Sequence, residues 1–356
     1  MRSASATCAL RPPMAPSPIA GRRVVVLPDL FVDAIVRLPE WQRTQEDCGR
    51  IVARGGGNLP VGPIEFKLGG NAANVAIALA RLGADVDLVA RTDSLGRALL
   101  APAAEEAGLR IRHVRESDRP SATLALECGG ANLMLSHAGP LATFGPDELK
   151  GAEWKVIEAA DAVVCMNWAQ NPLGTQLLRA VSQRTHRKGI PLFVDTSDPR
   201  LAQDRIPALL GASDLWPRVT SLGVNENEVK AFTGDREAPL PELAAELSRN
   251  LGCPVDLHTS EWAAHVNGST TMVPGRKVKP RRLTGAGDAW TAGNVAGYLA
   301  GLPAANRLRL AHAAATHYIR SPDAKPPRHD QVPASLWKGA AKAGGKARGR
   351  AVLGLV

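Results

Sequence analysis

Four segments of this chain run from helical spacing of apolar residues straight into a short apolar strand. They are "GNAANVAIALARLGADVDLVART", "WKVIEAADAVVCMNW", "LLRAVSQRTHRKGIPLFVDTS" and "LPELAAELSRNLGCPVDLHT". In the first, Val75, Ala76, Leu79 and Leu82 recur at helical intervals before Gly83 stops the helix and "DVDLVA" begins. The run "RRVVVLPDLFVDAIVRLP" stands ahead of them and opens on a buried strand. Strands that alternate with helices pair in parallel, and each crossover helix lays its apolar stripe on the sheet. The predicted fold class is therefore α/β, a three-layer sandwich whose central, mostly parallel sheet is flanked by helices. In such sheets ligands gather at the carboxyl ends of the strands.

Two stretches break this rhythm. "VGPIEFKLGG" and "SATLALECGGANLMLSH" alternate by two, and Gly-Gly splits the second into a hairpin. Strands without intervening helices predict a small antiparallel lid from about 61–70 and 120–137. The 356 residues, 45 % of them hydrophobic, suffice for one large domain over 22–337. A net charge of +9 would ordinarily suggest nucleic acid. Nine of the basic residues, however, lie in the acid-free stretches 1–28 and 338–356, and the rest of the chain is electroneutral. Nucleic acid is thus not the expected partner, residues 1–21 read as a disordered leader, and 338–356 as a basic flexible tail. Five scattered cysteines without CxxC spacing and no apolar run of about 18 residues predict a cytoplasmic chain with no membrane partner.

The stretch "RRLTGAGDAW" clears side chains from the start of a helix whose later residues, Ala289, Ala292, Gly293, Ala296 and Gly297, form a small-residue stripe. Bare amides at a helix entry bind anions, and Asp288 beside them would be repelled by a phosphate unless it takes a proton. Read alone, the motif is also ordinary first-turn capping chemistry. "KLGGNAANVAIALARLG" places Gly69 and Gly70 at a strand end and Asn71 and Asn74 at a helix start, amides that suit a hydroxyl-rich ligand or simply cap a helix.

Together and in this order, the two motifs resemble those of the ribokinase-like (PfkB-type) carbohydrate and nucleoside kinase family, from about residue 22 to 325. That resemblance implies a ribokinase-like fold. It implies an acceptor held by Asp33, Gly69, Gly70, Asn71 and Asn74, and an anion hole made by Gly285, Ala286 and Gly287 with Asp288 as base. Asp29, Asp93 and Gly96 fall at further family positions. "SLGVNENEVKAFTG" is similar to the family's NxxE segment, so Asn225 and Glu228 would organise Mg²⁺ and phosphate, Glu228 through water. Thr284, Gly285, Gly287, Ser260 and His312 fall at nucleotide-contacting positions. A homodimer through the lid is compatible with the resemblance.

The chain departs from the family pattern at Arg282 and Leu283, where an aspartate and a threonine are usual. That aspartate helps build a monovalent-cation site in some members, so potassium activation is not expected. Ser260 and Ala263 replace glycines of the nucleotide loop. Walker, GxGxxG, HExxH and GxSxG motifs are missing. The sequence therefore predicts a Mg²⁺-dependent phosphotransferase from ATP, with ADP left open as donor, to a hydroxyl of a sugar or nucleoside. The alternatives are a sugar-phosphate kinase, with Arg54, Arg91 or Lys67 reading the acceptor's phosphate, and a catalytically weak ligand-binding regulatory relative.

Overall fold

The computed structural model describes residues 16–128, 131–234, 236–282 and 284–339. In chain order its elements are β1 Arg23–Leu27, β2 Phe31–Arg37, α1 Trp41–Ala53, β3 Ile64–Gly69, α2 Asn71–Arg81, β4 Asp85–Thr92, α3 Ser94–Ala107 and β5 Arg110–Glu116. Then come β6 Ser121–Cys128, β7 Ala131–His137, α4 Gly151–Glu158, β8 Ala162–Cys165, α5 Gly174–Arg187, β9 Leu192–Asp195 and α6 Ile206–Leu210. The last are β10 Ser221–Asn225, α7 Glu226–Phe232, α8 Leu240–Leu251, β11 Val255–His258, β12 Trp262–Asn267, β13 Ser269–Pro274, α9 Ala286–Leu299 and α10 Ala304–Arg320.

One sheet runs β13-β12-β11-β10-β9-β8-β1-β4-β5. All its pairings are parallel except those of β12 and β13. Its strands alternate between two cores: Val25, Leu27, Val163 and Cys165 pack with α5 and α8, while Val24, Val26, Ala162 and Val164 pack with α2 and α9. That is the predicted three-layer arrangement. The order reverses at β1, which pairs with β4 on one side and β8 on the other, a switch point of the kind that opens a ligand crevice.

The small-residue stripe of α9 faces α10: a Cβ on Gly293 would lie 2.7 Å from the Ala311 Cα. A second sheet, β3-β2-β6-β7, forms the lid. Its β6–β7 hairpin closes at Cys128 opposite Ala131, as the alternation predicts. β2, which carries Asp33, is an additional lid strand and pairs with β6 in parallel, so the lid is a mixed sheet and not the purely antiparallel one expected. The leader boundary also needs correction, because Ser17 Oγ donates to the Leu82 carbonyl at 2.6 Å and Ile19 is fully buried. Expectations for residues 1–15 and 340–356 lie outside the described residues.

Candidate active site

Five neighbouring parallel strands each deliver one polar side chain at or just past their carboxyl ends. These are Asp29 after β1, Asn167 after β8, Asp195 on β9, Asn225 on β10 and His258 on β11. Asp29 is spent on the fold. It accepts from the amides of Asn71 (2.8 Å) and Ala72 (2.9 Å), which start α2 and have no intrahelical acceptor, and from Asn167 Nδ2 at 3.1 Å.

With the start of α2 fixed, Asn71 and Asn74 fall on one helical face. Asn71 Nδ2 donates to Asp288 Oδ1 at 2.9 Å and Asn74 Nδ2 to Asp288 Oδ2 at 2.8 Å. Ser197 Oγ donates to Asn71 Oδ1 at 3.1 Å, which fixes the amide's orientation. The two asparagines therefore hold the carboxylate first, and Asn74 also lines the cleft in front of it.

Asp288 lies in the first turn of α9 and is 7 % exposed. Burial pushes its carboxyl up to about 7; the two asparagine donors oppose the shift, and the charges of Asp195 and Asp29 add to it. Ahead of it Gly285 adopts φ 85°, and a Cβ there would come within 2.5 Å of the Tyr318 hydroxyl. That hydroxyl donates to the Thr284 carbonyl at 3.1 Å and pins the turn. Among the described residues, the Ala289 amide donates to the Gly285 carbonyl at 3.1 Å. The amides of Gly285, Ala286 and Gly287 precede it, at the positive end of the macrodipole.

Asp288, Asn74, Thr284 and Gly285 share a cleft of about 910 Å³ with Asp33 and Lys67 of the lid. Asp33 stands over Gly69, where a Cβ would lie 2.1 Å from Asp33 Oδ2, so only glycine leaves room for that carboxylate. Burial raises the Asp33 carboxyl to about 6, against a hydrogen bond from Thr123. Gly70 precedes α2 and lies against the Phe31 amide, where a Cβ would approach to 2.8 Å. Of the basic residues named for a phosphorylated acceptor, Lys67 lines this cleft but pairs with Glu65 at 2.6 Å. Arg91 pairs with Glu148 at 3.3 Å and Arg54 is exposed. Neither lines the cleft.

Asn225 and Glu228 cap α7 reciprocally. Asn225 Oδ1 accepts from the Glu228 amide at 3.0 Å, while Glu228 accepts from the Asn225 amide (2.9 Å) and from Nδ2 (2.8 Å). Burial, then the charge of Asp195, lifts the Glu228 carboxyl well above the usual carboxylate range, with Asp198 and Asp288 adding to it. Among the described residues no group of three or more His, Cys, Asp or Glu is placed to hold a metal directly. Mutually repelling carboxylates without a direct cage suit Mg²⁺, which dehydrates reluctantly and keeps several of its waters. The residues present fit that ion held through water.

Ser260 sits exposed in the turn between β11 and β12 and lines neither cleft. His258, two residues earlier, faces α9 instead: its Nε2 lies 3.5 Å from where a Gly287 Cβ would be. It stacks on Trp290 with ring centroids 4.6 Å apart. Burial and the nearby His312 push its pKa down to about 4, so it is neutral at pH 7. His258 Nδ1, His312 Nε2 and Trp290 Nε1 are buried without a hydrogen-bond partner among the described residues. His312 also lines a second cleft, of about 880 Å³, between α10, residues 274–276 and residues 321–336.

Sequence reasoning missed Asn167, Asp195, Ser197, His258 and Tyr318. An acid closing the strand run "PLFVD" was a usable signal for Asp195; Tyr318 offered none, because only the close packing of α10 on α9 brings it to Gly285.

The family model described as pfkB family carbohydrate kinase matches residues 40–331. Among curated proteins, "Bifunctional protein HldE" of Bradyrhizobium sp. (strain ORS 278) is 29 % identical over 313 residues, 83 % of this chain and 60 % of that protein. Its counterpart in Bradyrhizobium diazoefficiens is 28 % identical over 84 % of this chain and 59 % of its own length. The chain therefore spans about 60 % of the length of these relatives. Among solved structures, Arabidopsis thaliana ribokinase complexed with ribose and ATP superposes with a TM-score of 0.70 at 20 % identity, over 90 % of this chain and 99 % of that one. Adenosine kinase from Sinorhizobium meliloti gives 0.70 at 18 % identity, over 85 % and 95 %. The fold is ribokinase-like, and the chain belongs to the pfkB family of carbohydrate kinases.

Proposed function

We propose that this kinase moves the terminal phosphoryl group of ATP onto a hydroxyl of a sugar or nucleoside, with Asp288 as general base. The observation that carries the reading is the buried Asp288 carboxylate, held by two asparagines in the first turn of α9 and titrating near neutrality. Asp33 and Asn74 would grip acceptor hydroxyls across the cleft. Asp288 would take the proton of the attacking hydroxyl as its oxygen bonds to phosphorus and the bond to the leaving ADP oxygen breaks. The amides of Gly285 to Gly287 would receive the charge on the moving group. Mg²⁺, when bound, supplies charge neutralisation of the phosphates; Asn225 and Glu228 would hold it through water. His258 and His312 would border the donor nucleotide, and closure of the lid over Asp33 would exclude water.

A phosphorylated acceptor is the second reading, favoured by Arg281 on the cleft wall, which has no carboxylate partner among the described residues. A panel of free and phosphorylated sugars and nucleosides, each with Mg²⁺ and ATP or ADP, tests both. Turnover of at least one acceptor is expected. Binding without any turnover would leave the regulatory-relative alternative standing in its place.

A homodimer through the lid belongs to the same proposal. The strand register puts Phe66, Ala34, Leu124 and Leu135 in one row, and Ile64, Val36, Leu126 and Leu133 in another, on the face opposite Asp33. Phe66 is 58 % exposed and Leu135 53 %, a patch of the kind that marks an interface.

A further inference from the structure

Arg282, three residues before Gly285, lines the same cleft as Asp288. Its Nη2 donates to the Pro322 carbonyl at 2.9 Å, whereas Nη1 is buried with no hydrogen-bond partner. Most other cations of this cleft are neutralised: Arg37 by Glu65 and Glu127, Lys67 by Glu65, and both Arg81 and Lys325 by Glu106; Arg281 shows no such pair among the described residues but is exposed to solvent. Arg282 has no carboxylate within ion-pair distance among the described residues. A partly buried guanidinium without a counter-charge is costly to keep, and arginine cannot shed its proton to escape the cost. Some anion must offset it when the protein works.

The surroundings say where that anion sits. Arg282 is close enough to bias the ionisation of Tyr318, the residue whose hydroxyl pins the Thr284 carbonyl at the entry of α9. The Arg281 amide donates to the Ile319 carbonyl at 2.9 Å, so the two segments flanking the guanidinium are tied by the main chain as well. The charge is thereby tied to Pro322 on the wall of the cleft that Thr284, Gly285 and Asp288 also line.

We propose that Arg282 is a positioning residue for phosphoryl transfer, supplying a fixed positive charge to the cleft that Asp288 lines. This rests on the phosphotransfer reading above. A tethered cation does not exchange, so activity should be the same in potassium, sodium or choline chloride.

The test uses the full-length protein with Mg²⁺, ATP and the best acceptor found in the panel. Arg282→Ala should lower kcat by about 10-fold or more, short of the roughly 10²–10³-fold lost with a donor that bonds the developing anion directly, while acceptor KM changes less than threefold. Arg282→Lys should recover part of the loss, and millimolar guanidinium should partly rescue the alanine variant. Arg282→Met, which keeps the aliphatic stem, guards against misfolding, since chemical rescue would not revive a collapsed site. Alanine turnover within twofold of the wild type would overturn the inference. So would a loss confined to acceptor KM, which would mark a substrate contact instead. A wild type that turns over no acceptor would sink the phosphotransfer reading itself, a different outcome from an active wild type matched by an equally active Arg282→Ala.

Discussion

Asn74 Nδ2 donates to Asp288 Oδ2 at 2.8 Å, joining the first helix after the lid to the last helix pair of the sheet across 214 residues of sequence. The bond favours the ionised carboxylate, against the burial that raises its pKa to about 7. A base must be deprotonated to act, so kcat/KM should rise with pH through about 7 and level off above it. Asn74→Ala removes a donor to the anion and should shift that midpoint to higher pH, with turnover reduced about tenfold at pH 7. A pH profile of both proteins checks this; coincident midpoints would separate Asn74 from the ionisation of Asp288.

Gly285→Ala keeps the amide but should displace the turn that aims it, lowering kcat by up to about 10²-fold, the loss expected when a donor no longer meets a developing anion. The added Cβ meets the Tyr318 hydroxyl and the backbone is left-handed, at φ 85°. Pairing it with Tyr318→Ala relieves the contact but not the dihedral strain, so the double variant should stay impaired. Steady-state kinetics on both would show whether contact or conformation dominates.

Much of this arrangement was legible in the chain because it is local. The spacing of Val75, Ala76, Leu79 and Leu82 marks α2, all four are fully buried, and the alanine–glycine stripe of α9 does pack on α10. What stayed hidden depends on tertiary context. β2 continues an apolar run after β1 and carries no signal that it leaves the main sheet for the lid. Strand pairing ends β11 at His258 and puts Ser260 in the turn that follows, a boundary that the apolar run before it does not mark. Ile19 is buried by packing on distant elements that its own neighbourhood in the sequence does not reveal.

Asp256 anchors α9 and α10 to the sheet: it accepts from Asn294 Nδ2 at 2.8 Å and Arg307 Nη2 at 2.9 Å, and meets His265 Nδ1 at 2.7 Å. Burial disfavours its charge, yet Arg307 and His265 outweigh that and hold its carboxyl down at about 2. The folded pKa is below the ordinary 3.8, so this contribution is full above about 4 and is lost as pH falls through about 2. Asp256→Ala leaves Arg307 buried and unpaired and should cost about 3–5 kcal/mol. Denaturant unfolding at pH 7 measures it; a loss below about 1 kcal/mol would contradict the anchoring role.

Phe66→Asp places a charge in the apolar row opposite Asp33 and should convert a lid-to-lid dimer to monomer. Sedimentation velocity reads the mass directly. A wild type that is already monomeric at micromolar concentration would remove the dimer from the account.

The central claim concerns one carboxylate, and the most direct measurement is the turnover of Asp288→Asn with Mg²⁺, ATP and the best acceptor of the panel at pH 8. Its kcat should fall by about 10²-fold or more, with an unchanged circular dichroism spectrum. A folded variant that turns over as fast as the wild type would contradict the claim.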